Sequence, residues 1–301
     1  MLDEPAERIT PAEAAPHEDL GIPRAVGRGF LIVGSSPVLV VLPLLFPLAI
    51  WLALVLIGLQ DAPTSLVDAF AVPPLSMGFD INEAQKIFAT TPASMAVLVG
   101  LFVVRGLVVG PVVGMIFDVL EGARPSTYGA LRGLRALPTI LAVDIVIVGV
   151  TSVAGIVLSF LGPGLSTLGV VALPVAGLWL LAFAPMSAVR EGRGVQASLT
   201  RSLRAARLRM PGGSHFVMCL AYYVLSTFVL LIVASRLPGG ADATANPSIG
   251  IWAVVLVSTF IHTVFLAAFC ARWLAIESDV PDEPVRRRPQ ERAHSSRQRG
   301  R

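Results

Sequence analysis

Six long apolar runs decide what this chain can fold into. They occupy residues 38–59, 93–117, 139–161, 165–189, 216–235 and 249–271. At 1.5 Å of rise per residue, a helix of about 20 such residues crosses the ~30 Å hydrocarbon core of a bilayer. No water reaches the backbone in that core, so each run must close its own hydrogen bonds as a helix. Prolines 43, 47, 111 and 174 fall inside the runs. Neighbouring helices can satisfy the groups that a proline frees, so these positions predict kinks, not ends. Of the 301 residues 54% are apolar and 14% charged, against about 25% charged in a soluble domain. The expected fold class is an all-α integral membrane protein with six transmembrane helices.

The arginines set the orientation. Arg24 and Arg28 precede the first run, and Arg124, Arg132 and Arg135 lie between the second and third. Arg190, Arg193, Arg201, Arg204, Arg207 and Arg209 lie between the fourth and fifth, and Arg272 and Arg286 to Arg288 follow the last. The opposite loops hold only Lys86 and Arg236. Positive charge stays on the cytoplasmic side, so both termini are expected there. Residues 1–21 form an acidic tail and residues 278–301 a basic one. Neither carries enough apolar surface to offset the entropy of ordering, so both are expected to be disordered. The N-terminus lacks the basic region and cleavage pattern of a signal peptide.

The cytoplasmic loops look alike. Glu121-Gly122 is followed by RGLRA at 132–136, and Glu191-Gly192 by RSLRA at 201–205. Glu277-Ser278 repeats the acid-then-small pattern, and IPRAVGRGF at 22–30 is a looser form of the basic motif. Chain breaks follow the basic motifs at Ser35-Ser36-Pro37, Leu137-Pro138 and Pro211 to Ser214. The six-helix domain at 22–277 therefore reads as three parallel hairpin repeats, 22–121, 122–191 and 192–277. Each opens with a short amphipathic helix. In 195–210 the apolar positions 195, 199, 203, 206 and 210 have helical spacing, with Arg201, Arg204 and Arg207 on other faces. Such a helix either lies in the membrane interface, arginines toward head groups, or packs against the end of the bundle.

The stretch FAPMSAVREGRGV followed by ASLTRSLRAARL resembles bacterial six-helix membrane domains of the kind attached to some glycerophosphodiester phosphodiesterases. The resemblance is best over 120–210 and implies a membrane module in a bacterial inner (plasma) membrane. The catalytic barrel of those enzymes has no room in this chain, so no hydrolytic residue carries over.

No HExxH zinc pair, GxSxG elbow or GxxxxGK phosphate loop is present, which excludes a self-contained ATP-driven pump. Cys219 and Cys270 lie in apolar runs without ligand spacing. No cofactor or metal is expected. Three ionisable residues lie well inside the runs: Arg105, Asp144 and His262. Intramembrane charges are functional candidates by default. Asp144 is the counter-charge on the next helix, but it lies about 9 Å from the cytoplasmic side and Arg105 about 18 Å. Their side chains also lean apart. His262 matches Arg105 better in depth, and Arg105 is expected to point toward it. Gly106, Gly110 and Gly114 form a smooth stripe for close helix packing, and Thr151, Gly155 and Ser159 offer a similar one.

These features describe a non-enzymatic scaffold or accessory module that engages membrane lipid, or a membrane or cytoplasmic protein, through Arg132, Arg135, Arg201, Arg204 and Arg207. No nucleic-acid partner is expected. The alternative is a permease-type subunit with a polar path near Arg105 and His262.

Overall fold

The computed structural model describes residues 21–45, 92–160, 162, 172–173, 175–208, 214–225 and 249–280. Residues 1–20 and 281–301 of the tails and parts of the runs 38–59, 165–189 and 216–235 lie outside them. The regular elements among the described residues are all helices, with no strand.

Helix α1 spans Ile22–Ser35, with Pro23 in its first turn. It stops because Pro37 brings no N–H and forces Ser36 out of the helical region, to φ −140 and ψ 77. Helix α2, Val38–Leu45, leaves at 90° to it. Helix α3, Pro92–Leu120, runs through Pro111 unbroken. Gly122 ends it in the left-handed region at φ +82. There the Ala123 N–H reaches the Asp118 carbonyl and the Gly122 N–H the Val119 carbonyl, a Schellman motif.

Helix α4, Thr127–Leu134, is capped by the Ser126 hydroxyl, which accepts from the Gly129 N–H. Helix α5, Leu137–Ser159, follows after one turn, with Pro138 in its first turn. Helix α6, residues 175–181, is separated from α7, Phe183–Glu191, by a turn at Ala182. Pro185 has no N–H to return to the carbonyl of Leu181, four residues back, which accounts for the irregularity. Gly192, at φ +66, ends α7 as Gly122 ends α3. Helix α8 is Val195–Ala206, α9 is Ser214–Leu225 and α10 is Ile249–Ile276.

Among the described residues two helices are long and apolar enough to cross a membrane, over Val103–Leu120 and Leu256–Ile276, and the bent pair α1–α2 makes a third if taken as one span. The last run extends past its expected end at 271. Arg272, expected in the loop, is therefore inside α10 and buried, donating to the Ser214 hydroxyl at 2.8 Å.

Each short basic helix packs along another helix, α4 and α8 on the helix just before them and α1 on the last. The most extensive pairings are α4 on α3, α1 on α10 and α8 on α7. Small residues make the approach possible. A side chain on Gly133 would run into the Gly110 carbonyl, one on Gly129 into Asp118, and one on Gly29 into the Val264 carbonyl. On α8 the small residue is Ser202, whose hydroxyl donates to the Leu180 carbonyl at 2.8 Å. The stripe Gly106, Gly110, Gly114 thus receives α4 and the first turn of α5, where Leu137 and Ile140 pack against Gly106. The side chains of Thr151, Gly155 and Ser159 lie outside the described residues.

The core is one large cluster between these helices, with Phe117, Phe183, Met186, Met218, Tyr222, Phe269 and Trp273 fully or almost fully buried. A smaller cluster joins Val143, Ile147, Leu181 and Ala184, against which Leu199 and Leu203 of α8 rest.

A methyl group on Gly133 has only backbone to displace, so Gly133→Ala is expected to destabilise the fold by at least ~1–3 kcal/mol. Gly27→Ala, which meets nothing within 4 Å, should be neutral or gain up to ~1 kcal/mol. Thermal unfolding in detergent measures both; equal midpoints would remove the seam.

Candidate functional site

Arg105 on α3 and Asp144 on α5 form an ion pair, with 5% and 3% of their side chains exposed. Arg105 therefore does not turn to His262, as the depth argument expects. Depth counted from the loop puts the start of α5 level with the end of α3. Instead α4 runs back along α3, Gly129 beside Gly114 and Gly133 beside Gly110. Its eight residues carry the start of α5 up to Gly106, and Asp144 comes within reach of Arg105.

His262 is buried in another part of the core. Its Nδ1 meets the Tyr222 hydroxyl at 3.0 Å, beside buried Ser258, Thr259 and Thr263. Tyr222 is a partner that sequence spacing does not reveal, because the two residues lie 40 positions apart on different helices.

The pair Arg105–Asp144 lines a cavity of about 20 Å³. The other walls are apolar: Val109 from α3, Ile140, Val143 and Ile147 from α5, and Leu178, Leu181, Ala182 and Pro185 from the broken helix α6–α7.

At the end of the bundle arginines of α7, α8 and the turn between them meet the three glutamates at helix ends. Arg190 pairs with Glu121, and its Nε lies 3.8 Å from Glu277. Arg193 pairs with Glu191, which also accepts from Arg201 Nε at 3.0 Å. Arg201 is the correction among the expected surface residues: only 8% of it is exposed. It donates to the carbonyls of Glu277 at 2.7 Å and Val280 at 3.1 Å, where α10 ends, and lies over the Trp273 ring. A guanidinium is suited to this, since it offers five N–H donors in a plane to carbonyls that a helix end leaves without partners.

Arg132 is likewise engaged, with Asp118 at 3.3 Å and the Gly114 carbonyl at 3.3 Å. Asp118 also accepts from the Ser126 hydroxyl at 2.6 Å and so holds the cap of α4. Asp118 was legible only as a carboxylate near the end of a run; the Ser126 cap preceding Thr127 was the available signal. Arg204 is half-buried, and Arg135 and Arg207 are exposed. The buried face of α8 is Ser198, Arg201, Ser202, Ala205 and Ala206, so this helix packs on the bundle with its small residues and one arginine inward.

Burial pushes the Glu277 carboxyl above its usual value; Arg190 and Arg201 oppose that shift, and Glu191 and Glu121 add to it. Among the described residues no three His, Cys, Asp or Glu side chains converge as metal ligands would.

Removing one member of a buried ion pair leaves the other charge stranded, whereas replacing both with apolar groups does not. Arg105→Met and Asp144→Leu should each cost ~3–5 kcal/mol and the double variant far less. Unfolding midpoints of the three variants decide this; additive losses would mean that the two residues do not act as a pair.

A carboxyl with a raised folded value binds its proton more tightly in the folded state. Glu277 therefore favours folding at low pH, and that contribution is lost as pH rises from the ordinary carboxyl value through the raised one. Glu277→Gln should flatten the fall of the unfolding midpoint across this window; an unchanged slope would assign the effect elsewhere.

No family model, curated protein or solved structure matches the chain.

Proposed function

We propose that the chain is a multi-pass membrane module of the bacterial inner membrane, a non-enzymatic scaffold that engages anionic lipid. In this reading six spans are arranged as three hairpin units with both termini in the cytoplasm. The observation that carries the membrane reading is the outer face of α5. Ile145, Val146, Val150, Val153, Val157 and Phe160 are all exposed there and share one side of the helix. An apolar stripe of that length is covered by lipid more readily than by water. Val38, Val41 and Leu45 on α2 and Val217, Leu220 and Val224 on α9 are exposed in the same way.

The three hairpin units are supported by the packing. Ala25 and Gly29, Gly129 and Gly133, and Ser198 and Ser202 are buried small-residue pairs at matching places in the three basic helices. Gly110 and Leu180, which receive Gly133 and Ser202, lie equally far ahead of Glu121 and Glu191. The pairing is cyclic: the second unit's basic helix sits on the first unit, the third on the second, and the first on the third. The likeness to the membrane domains of certain phosphodiesterases belongs to this reading as well.

The scaffold reading is supported by how the polar groups are used. Arg105, Asp144, His262, Arg132 and Arg201 all bind other parts of the chain. The lipid contact is left to exposed Arg135 and Arg207, each worth about 1 kcal/mol at an anionic surface. A permease subunit is the second reading. The cavity beside Arg105 favours it, although its volume of about 20 Å³ accommodates about one water.

Native mass spectrometry of the protein taken from membranes tests the proposal. Bound anionic phospholipid should fall in the variant carrying Arg135→Glu and Arg207→Glu. Unchanged lipid would leave a protein partner as the scaffold's client. Recovery of the unmodified chain in the soluble fraction would sink the membrane reading itself.

A further inference from the structure

We infer that the cavity beside Asp144 is a binding site for one water molecule, which joins the buried ion pair to the broken helix α6–α7. Asp144 is 2% exposed, and its Oδ2 has no hydrogen-bond partner among the described residues. A buried carboxylate oxygen left so is costly, and the ordinary remedy is an internal water. The cavity that Asp144 lines measures about 20 Å³. One water needs roughly 10–15 Å³ by this measure and two to four polar partners.

Three of the residues that line the space, Asp144, Leu181 and Arg105, carry groups suited to bind the water. Asp144 Oδ2 accepts one of the water's hydrogens. The carbonyl of Leu181, to which Pro185 can return no N–H, is an acceptor for the other. The guanidinium of Arg105 supplies a donor to the water oxygen. The turn at Ala182 and the orphaned oxygen of Asp144 thus border one cavity and have one explanation. Charge and size select the occupant. A cation meets the Arg105 guanidinium, an anion meets the Asp144 carboxylate, and the volume admits nothing much larger than water. A neutral molecule that both donates and accepts is what remains. Its consequence is that Arg105 and Asp144 are partly solvated inside the bundle, which lowers the desolvation cost of keeping two charges there. The water site depends on local packing and holds for any placement of the bundle in a bilayer.

Filling the cavity with a methyl group separates a wet site from a dry one. Val143 lines it, and Val143→Ile adds one methylene toward it. In the otherwise unchanged full-length protein, this substitution should displace the water and lower the unfolding midpoint by roughly 2–4 °C. In the background Arg105→Met with Asp144→Leu nothing polar remains to solvate, and Val143→Ile should leave the midpoint unchanged or raise it. Stabilisation in both backgrounds overturns the proposal by showing a dry void, and equal destabilisation in both overturns it by showing overpacking. Should the apolar background fail to fold, a high-resolution map of the unmodified protein decides. A spherical peak within about 3 Å of Asp144 Oδ2 supports the site, and continuous empty volume there overturns it.

Discussion

The close approach of α4 to α3 is the constraint on which much of the remaining arrangement depends. Two glycines on each helix let backbone meet backbone: Gly110 and Gly114 on α3, Gly129 and Gly133 on α4. A helix this short, eight residues, has little stability of its own, because nucleation is costly and few hydrogen bonds repay it. Packing and capping must hold it. Asp118 does both, since it accepts from Ser126 at the start of α4 and from Arg132 in its last turn. Once α4 is seated, α5 has to begin beside Gly106. That displacement along α3 is what carries Asp144 to Arg105 and forms the wall of the cavity with Val143 and Ile147.

The same device recurs with different chemistry at α8. Ser202 replaces the backbone contact of Gly133 with a hydrogen bond to the Leu180 carbonyl. Arg201, the counterpart of Arg132 in the basic motif, reaches the ends of two helices at once through Glu191 and the carbonyls of Glu277 and Val280. A charged pair exposed as Arg190–Glu121 is contributes about 0–1 kcal/mol. Arg201 is different because it is desolvated and its partners are backbone groups that would otherwise be orphaned. The arginines of the loops are thus divided between those that tie helix ends together and those that remain at the surface.

Much of the helical framework was readable from the run lengths and from punctuation. Glu121-Gly122 and Glu191-Gly192 mark helix ends because a left-handed residue there favours glycine, and both glycines have positive φ. Pro37 and Pro138 mark the breaks for equally local reasons. The partner of Arg105 was not readable, because depth along a span was counted from the loop and α4 adds a rise inside the bundle that no local signal records. The inward turn of Arg201 was hidden for a related reason. Its face of α8 is small and polar, a pattern shared by a solvent-facing surface and by a tight seam against another helix. Gly129 and Gly133 distinguish the two for α4, since two glycines four apart suit close packing; Ser198 and Ser202 are less distinctive. Arg272 was misplaced because hydropathy falls before the helix ends, and α10 continues to Ile276.

An arginine and an aspartate at the heart of an apolar bundle are not there for stability alone, since two well-packed apolar side chains would serve as well or better. What the pair adds is direction. Arg105 is satisfied when α5 presents Asp144 at one height and one rotation, whereas an apolar stripe such as Ile140, Val143 and Ile147 would tolerate a slip by one turn. Glycines permit sliding as readily as they permit approach, because they offer no protrusion to resist it. The ion pair and the Asp118 cap therefore complement the seam: the glycines bring the helices together, and the charges allow one register between them.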